Sequence, residues 1–179
     1  MAQPHHIARR NNTGFTLLEL LVALALMGML AAWGLPNFQA LGERSAVISE
    51  VNRLQTILTL ARNTAITRQS DITVCPANEG KNACSDDWNN PVIIVQGDKT
   101  TSIISDQDIV RVFAPTKGVH VTKNGHSRIK YNPMGHVGGF NSTYTICPSN
   151  DQTTSSGAEL VVSTLGRARV GEDPISCAD

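Results

Sequence analysis

The chain has 179 residues, enough for one domain with a core of its own plus an appendage. Hydrophobic residues make up 41% and charged residues 17%, which excludes a disordered chain, and aromatics at 4% leave the core to aliphatic side chains. The formal net charge is zero, so total charge gives no reason to expect an acidic partner; any electrostatic role must come from where the charges sit.

Residues 1–14, MAQPHHIARRNNTG, are polar, with Arg9 and Arg10 and no acid. Hydrophobicity switches on at Phe15 and continues to about Leu35. About 20 apolar residues at a ~1.5 Å rise can cross a bilayer core of roughly 30 Å. The two arginines ahead of the span favour a cytoplasmic N-terminus, with everything beyond residue 35 exported. An ordinary secretory signal has a shorter apolar stretch that ends in a small-residue cleavage site. Here the small residue, Gly14, precedes the apolar run. Glu19 lies inside that run, a costly placement that by default asks for a partner and a function. Its bland alternative is a carboxylate close enough to the membrane surface to snorkel.

Gly14-Phe15-Thr16-Leu17-Leu18-Glu19, followed by the long apolar run and Pro36, resembles the type IV prepilin signature. The resemblance implies cleavage after Gly14 by a prepilin peptidase and N-methylation of Phe15. It implies that Glu19, fifth in the mature chain, meets the N-terminal amine of a neighbouring subunit during assembly. In lipid, a buried carboxylate and a buried ammonium each stabilise the other's charged form. It further implies a single-pass inner-membrane protein with a periplasmic head, later joined to other pilin subunits in a pilus or pseudopilus at the cell surface. The expected divisions are a leader at 1–14, a transmembrane and assembly helix at 15–41, and a globular head at 42–179.

Beyond Pro36 the pattern becomes amphipathic. Leu41, Ile48, Val51, Leu54, Leu58, Ala61 and Ala65 recur at helical spacing, with Arg44, Glu50, Arg53 and Arg62 on other faces. Pro36 should kink or loosen the helix without ending it, which predicts one long helix from about Thr16 to Thr67. Residues 71–179 are strand-rich. Short β-branched segments occur at Asp71–Val74, Pro91–Gln96, Ile109–Phe113, Gly118–Thr122, Arg128–Asn132, Thr143–Cys147, Glu159–Thr164 and Arg167–Val170, separated by Gly, Pro, Asn and Ser turns. A helix first and strands after predict an α+β head in which the helix packs on an antiparallel sheet. Four cysteines in an exported chain fit two disulfides and permit three pairings. The favoured one is Cys75–Cys84, closing a short loop, with Cys147–Cys177, stapling the tail to the body.

The second half resembles the GspH/FimT-type minor pilins and pseudopilins. The matching pieces are Tyr131-Asn132-Pro133-Met134-Gly135, Thr143-Tyr144-Thr145-Ile146-Cys147, and the run from Leu160 to Arg169, LVVSTLGRAR. With the N-terminus, the resemblance covers most of the chain and implies the type IV pilin fold.

The charges are segregated along the chain. Seven acids fall between Asp71 and Asp108, against Lys81 and Lys99, whereas Ile109 to Asn150 holds no acid but carries Arg111, Lys117, Lys123, Arg128 and Lys130. Strand alternation predicts Ile129 and Tyr131 inward with Arg128 and Lys130 outward, and Ala168 and Val170 toward the body with Arg167 and Arg169 outward. Gly166, just before that pair, would let a ligand backbone approach closely. Two guanidiniums one strand repeat apart, roughly 7 Å, suit adjacent phosphates held bidentately. The expected ligand is double-stranded DNA bound through its backbone without sequence preference, and the resemblance adds that some FimT-type pilins are associated with DNA capture in natural transformation. Arg167 and Arg169 are the first contacts, Lys117, Lys123, Arg128 and Lys130 supporting charges; Arg111 is ambiguous. The alternative is a structural minor pilin or type II secretion pseudopilin whose basic strands form a solvated face, or whose Arg167 and Arg169 pair with Glu172 and Asp173.

No Gly-x-Ser-x-Gly elbow, phosphate-binding glycine loop or His-Glu-x-x-His occurs, so no enzyme is expected and no cofactor is called for. His120, His126 and His136 are scattered. Asp86 and Asp87 near Asn89 and Asn90 lack the spacing of a calcium loop, so no metal site is expected. Trp88 is expected to pack on the head beside the Cys75–Cys84 loop.

Overall fold

The computed structural model describes residues 15–99, 103–150 and 156–177, without the side chains at 33–37 and 39. Gly14, the expected cleavage residue, lies outside the described residues. The chain divides into two compact units, residues 1–39 and 40–179.

Helix α1 (Leu17–Arg68) begins in the first unit and is continuous through Pro36. Thr16 stands at its N-cap position, and its Oγ1 accepts the N–H of Glu19 at 3.2 Å. This satisfies one of the donors that every helix start leaves open. In this unit Phe15, Leu17, Leu18, Leu21 and Leu30 are all exposed. Among the described residues no helix is long and apolar enough to cross a membrane. The expected span, Phe15 to Leu35, falls partly on side chains outside the described set.

In the second unit, Val47, Val51, Leu54, Leu58, Ala61 and Ala65 of α1 are buried at intervals of three and four, together with Ile57. Leu41 and Ile48, expected in that stripe, are 63% and 50% exposed. Glu50, expected on another face, is 1% exposed, because it lies three residues from Val47 and four from Leu54. Its carboxylate is held by Arg53, whose Nε and Nη2 donate to its two oxygens at 2.7 Å. Arg53 Nη1 donates to the Ala114 carbonyl at 3.0 Å, tying α1 to the strand layer.

Nine strands follow among the described residues. They are β1 (Ile72–Pro76), β2 (Val92–Gln96), β3 (Ile109–Phe113), β4 (Val119–Lys123), β5 (Ile129–Tyr131), β6 (Ser142–Pro148), β7 (Ser156–Val162), β8 (Ala168–Val170) and β9 (Ile175–Ser176). They pair antiparallel in two sheets, β3-β2-β1-β5 and β4-β6-β7-β8, with β9 on β7. The antiparallel head is thus split, and the chain changes sheet three times, between β3 and β4, β4 and β5, and β5 and β6. Alternating residues of the second sheet, Val119 and Val121, Tyr144 and Ile146, Leu160 and Val162, join α1 and Ile72, Val74, Ile129 and Tyr131 of the first sheet in one core. β1 is buried at all five positions and β2 at its first four, because both faces are covered there. Cys75, Ala77, Ile93, Val95 and Ile104 form a second, smaller cluster beneath the segment between Ala77 and Asp108.

Both disulfides take the favoured pairing, Cys75–Cys84 and Cys147–Cys177. Gly157 packs against the sulfurs of the second, so a Cβ there would displace the bridge. Trp88 is buried and meets Tyr144 edge-on, with ring centroids 4.8 Å apart.

Candidate functional site

The expected basic residues do not form one patch. Lys130 does lie on the outer face of β5, yet its Nζ meets Asp98 Oδ2 at 2.9 Å. That bond holds its pKa above the ordinary lysine value, against desolvation and the neighbouring Arg128. Asp98 comes from the acidic block and Lys130 from the acid-free run. Segregation along the chain is therefore undone in space, and Lys130 falls from the list of available charges. Arg128 is half-buried, with an Nε that is enclosed and unpartnered among the described residues.

Lys123 is a second correction. It continues the inward parity of Val119 and Val121 and lies over the rings of Trp88 and Tyr144, 5.9 and 5.8 Å from their centroids. Its Nζ donates to the carbonyls of Asn124, at 3.1 Å, and of His126. Desolvation lowers its pKa to about 8. Turned toward these rings and carbonyls, it is withdrawn from an outer basic face. The period-two reading already applied to Ile129 and Tyr131 would have turned it inward.

Gly166 is the third. It is buried, with φ +75°, and a Cβ on it would collide with the Gly135 carbonyl and come within 2.9 Å of the Tyr131 ring. Its lack of a side chain serves packing between two turns and leaves no opening for a ligand backbone. Gly135 carries φ +75° as well and rests on α1, its carbonyl accepting Arg62 Nε at 3.2 Å. Asn132 Oδ1 closes that turn by accepting the N–H groups of Met134 and His136 at 3.0 and 2.9 Å. Tyr131-Asn132-Pro133-Met134-Gly135 and the glycine of Gly166-Arg167 are thus parts of one stack standing on α1.

That stack positions the arginines. The β7–β8 turn is closed by Gly166 N–H to the Ser163 carbonyl (2.8 Å), Ser163 N–H to the Arg167 carbonyl (2.9 Å) and Arg167 N–H to Ser163 Oγ (3.2 Å). Val137 N–H, donating to the Thr164 carbonyl at 3.1 Å, ties the turn to the loop beside it. Arg167 and Arg169 emerge exposed on either side of half-buried Ala168. Neither forms an ion pair among the described residues, with Glu172 or Asp173 or any other acid. Val170, expected against the body, is 44% exposed. Lys117 is exposed in the loop before β4, at the opposite edge of the second sheet from β8. Arg111 is exposed on β3, 5.5 Å from the Phe113 ring centroid. Tyr131 and Tyr144 are fully buried and cannot stack on bases.

The Asp86–Asn90 segment has a structural task. Asp87 Oδ1 accepts the N–H and Nδ2 of Asn89 at 3.0 and 2.6 Å, bonds that lower its pKa. Asn89 Oδ1 in turn accepts the Val121 N–H at 2.8 Å, covering the outer edge of β4. Among the described residues no group of three or more His, Cys, Asp or Glu is placed to hold a metal.

Comparison with known proteins places this geometry. Residues 50–166 match the family described as type II transport protein GspH, and residues 9–35 match the prokaryotic N-terminal methylation motif. The type IV minor pilin FimU of Pseudomonas aeruginosa PAO1 resembles the chain in two crystal forms. One gives 18% identity and a TM-score of 0.60 over 75% of this chain and 96% of FimU; the other gives 19% and 0.57 over 72% and 98%. The minor pseudopilin EpsH of the Vibrio cholerae type II secretion system is 15% identical, with a TM-score of 0.49 over 73% of this chain and 98% of EpsH. At such identities the likeness to FimU speaks for the fold alone. No curated protein matches the sequence.

Proposed function

Because the chain belongs to the GspH family and carries the N-terminal methylation motif, and so is a minor pilin or pseudopilin, we propose that it holds double-stranded DNA by its phosphate backbone, to assist DNA uptake in natural transformation. The observation that carries this reading is the Arg167–Arg169 pair, exposed, without an acid partner among the described residues, and held on a braced turn and an outer strand. A guanidinium fork can grip two phosphate oxygens, and alternate residues of one strand present two such forks along one line. With both forks on phosphate oxygens, which carry no base information, binding is independent of sequence. Leader cleavage after Gly14, methylation of Phe15, pairing of Glu19 with a neighbour's amine and the division at residues 14 and 41 belong to the same proposal. Prepilin peptidase, the inner membrane and other pilin subunits are the corresponding partners.

The test is a gel-shift titration of the full chain in detergent micelles with unrelated duplexes at several salt concentrations. With Lys123 and Lys130 engaged elsewhere, two neutralised phosphates give a log–log salt slope of roughly −1.8. Arg167→Gln/Arg169→Gln should flatten that slope and weaken binding by about tenfold or more at low salt. Unchanged binding by the double variant would remove Arg167 and Arg169 from the DNA contact, and no shift at low salt by the unaltered chain would leave a purely structural minor pilin or pseudopilin.

A further inference from the structure

β8 is the outer strand of the second sheet, and no further strand pairs with its far side among the described residues. Ser163 N–H to the Arg167 carbonyl and Gly171 N–H to the Glu159 carbonyl, at 2.9 and 2.8 Å, bracket its ladder with β7. Antiparallel alternation then leaves the N–H groups of Ala168 and Val170 pointing away from β7. α1 flanks this open edge. Between them lies a shallow depression of about 760 Å³, with Ala168 on one side and Asn52, Gln55, Thr59 and Asn63 on the other. These four side chains recur at three and four residues and so share one helix face. None has a side-chain hydrogen bond among the described residues, whereas neighbouring Thr56 uses its hydroxyl on the Asn52 carbonyl at 2.7 Å. No carboxylate lines the depression. Further along α1 a separate groove of about 630 Å³ beside Val170 carries three acids and one base in its lining, Glu43, Glu172 and Asp173 with Arg44.

We infer that this amide and hydroxyl face of α1 is a second wall of the nucleic-acid site, hydrogen-bonding the phosphates and sugars that continue from those held by Arg167 and Arg169. The inference rests on the DNA-binding reading of that pair. Neutral amides, hydroxyls and backbone N–H groups are ordinary backbone-positioning partners of DNA. They fix register without releasing counterions, so their contribution differs in kind from that of the arginines. The second groove, where three acids outweigh Arg44, suits a polyanion less well than the neutral lining over residues 52–63.

The experiment is fluorescence anisotropy of a labelled duplex with the full chain in micelles across a salt series. Asn52→Ala/Asn63→Ala and, separately, Gln55→Ala/Thr59→Ala should weaken binding about fivefold or more with the salt slope unchanged. Arg167→Gln/Arg169→Gln should flatten the slope, and Glu172→Gln/Asp173→Asn should tighten binding. All these side chains are solvent-facing or half-exposed, and circular dichroism checks that each variant folds. If the unaltered chain fails to bind DNA, both readings fall. If the arginine variant loses binding while both α1 variants keep it, the α1 wall alone is overturned. α1 variants that bind DNA normally but no longer enter pili would mark the face as a contact between subunits, and also overturn it.

Discussion

Lys123 shows how one side chain can change roles between sequence and fold. Its ammonium is half-buried over Trp88 and Tyr144, and desolvation brings its pKa from 10.5 to about 8. Between those two values the unfolded chain binds more protons than the folded one, so stability from this group rises with pH through that window. The urea midpoint of the unaltered chain should therefore climb between pH 7.5 and 9.5, and Lys123→Met should lack that share of the climb. The variant should also be at least as stable at pH 7.5, since a methionine meets no desolvation penalty against the two rings. Equal pH responses in the two proteins would mean that the ammonium keeps its water. The exposure of the arginines could be read from alternation, whereas nothing in the sequence decided that Glu172 and Asp173 leave them unpaired. The fate of Lys130 could not, because Asp98 reaches it from a different hairpin, and no local pattern reports a contact between residues so far apart along the chain.

At the scale of elements, α1 is fastened to the strands through a buried charge. Glu50 has no water to fall back on, and both its oxygens depend on Arg53. Removing one member of a buried pair costs about 3–5 kcal/mol, while replacing both by apolar groups of similar volume is often neutral. Arg53→Met should thus lower unfolding free energy in urea by that amount, and Glu50→Leu/Arg53→Met should recover most of it. A loss below about 1 kcal/mol in the single variant would show that the carboxylate is hydrated instead. The strands were legible in the sequence because β-branched runs between Gly, Pro and Asn turns admit few other readings. β9 escaped notice because Ile175–Ser176 is too short to show a period and is held beside β7 near the Cys147–Cys177 bridge. The α1 stripe was displaced at its start for a related reason: Leu41 and Ile48 are apolar, yet the sheets do not reach them, and burial is decided by the partner surface. The neutral α1 face beside β8 gave no signal at all, since Asn, Gln and Thr on a helix read simply as solvent-facing.

For the whole molecule, Glu19 joins the local to the assembled. The bond from its N–H to Thr16 Oγ1 is a backbone donation that Glu19→Ala keeps, so the variant removes the carboxylate while the helix start remains closed. It is expected to leave the head's urea midpoint unchanged and to reduce the amount of subunit recovered in sheared surface fibres. Normal recovery would remove Glu19 from the assembly step. The two disulfides carry a further consequence, for the order in which the chain oxidises. Cys75 and Cys84 are 9 residues apart and Cys147 and Cys177 are 30 apart, whereas either alternative pairing must join the two halves of the cysteine set across far longer loops. Loop-closure entropy alone then favours the native pairing by about 3 kcal/mol, roughly a hundredfold. The correct isomer is the one a still-unfolded chain draws first, so this head calls for an oxidant and little help from an isomerase.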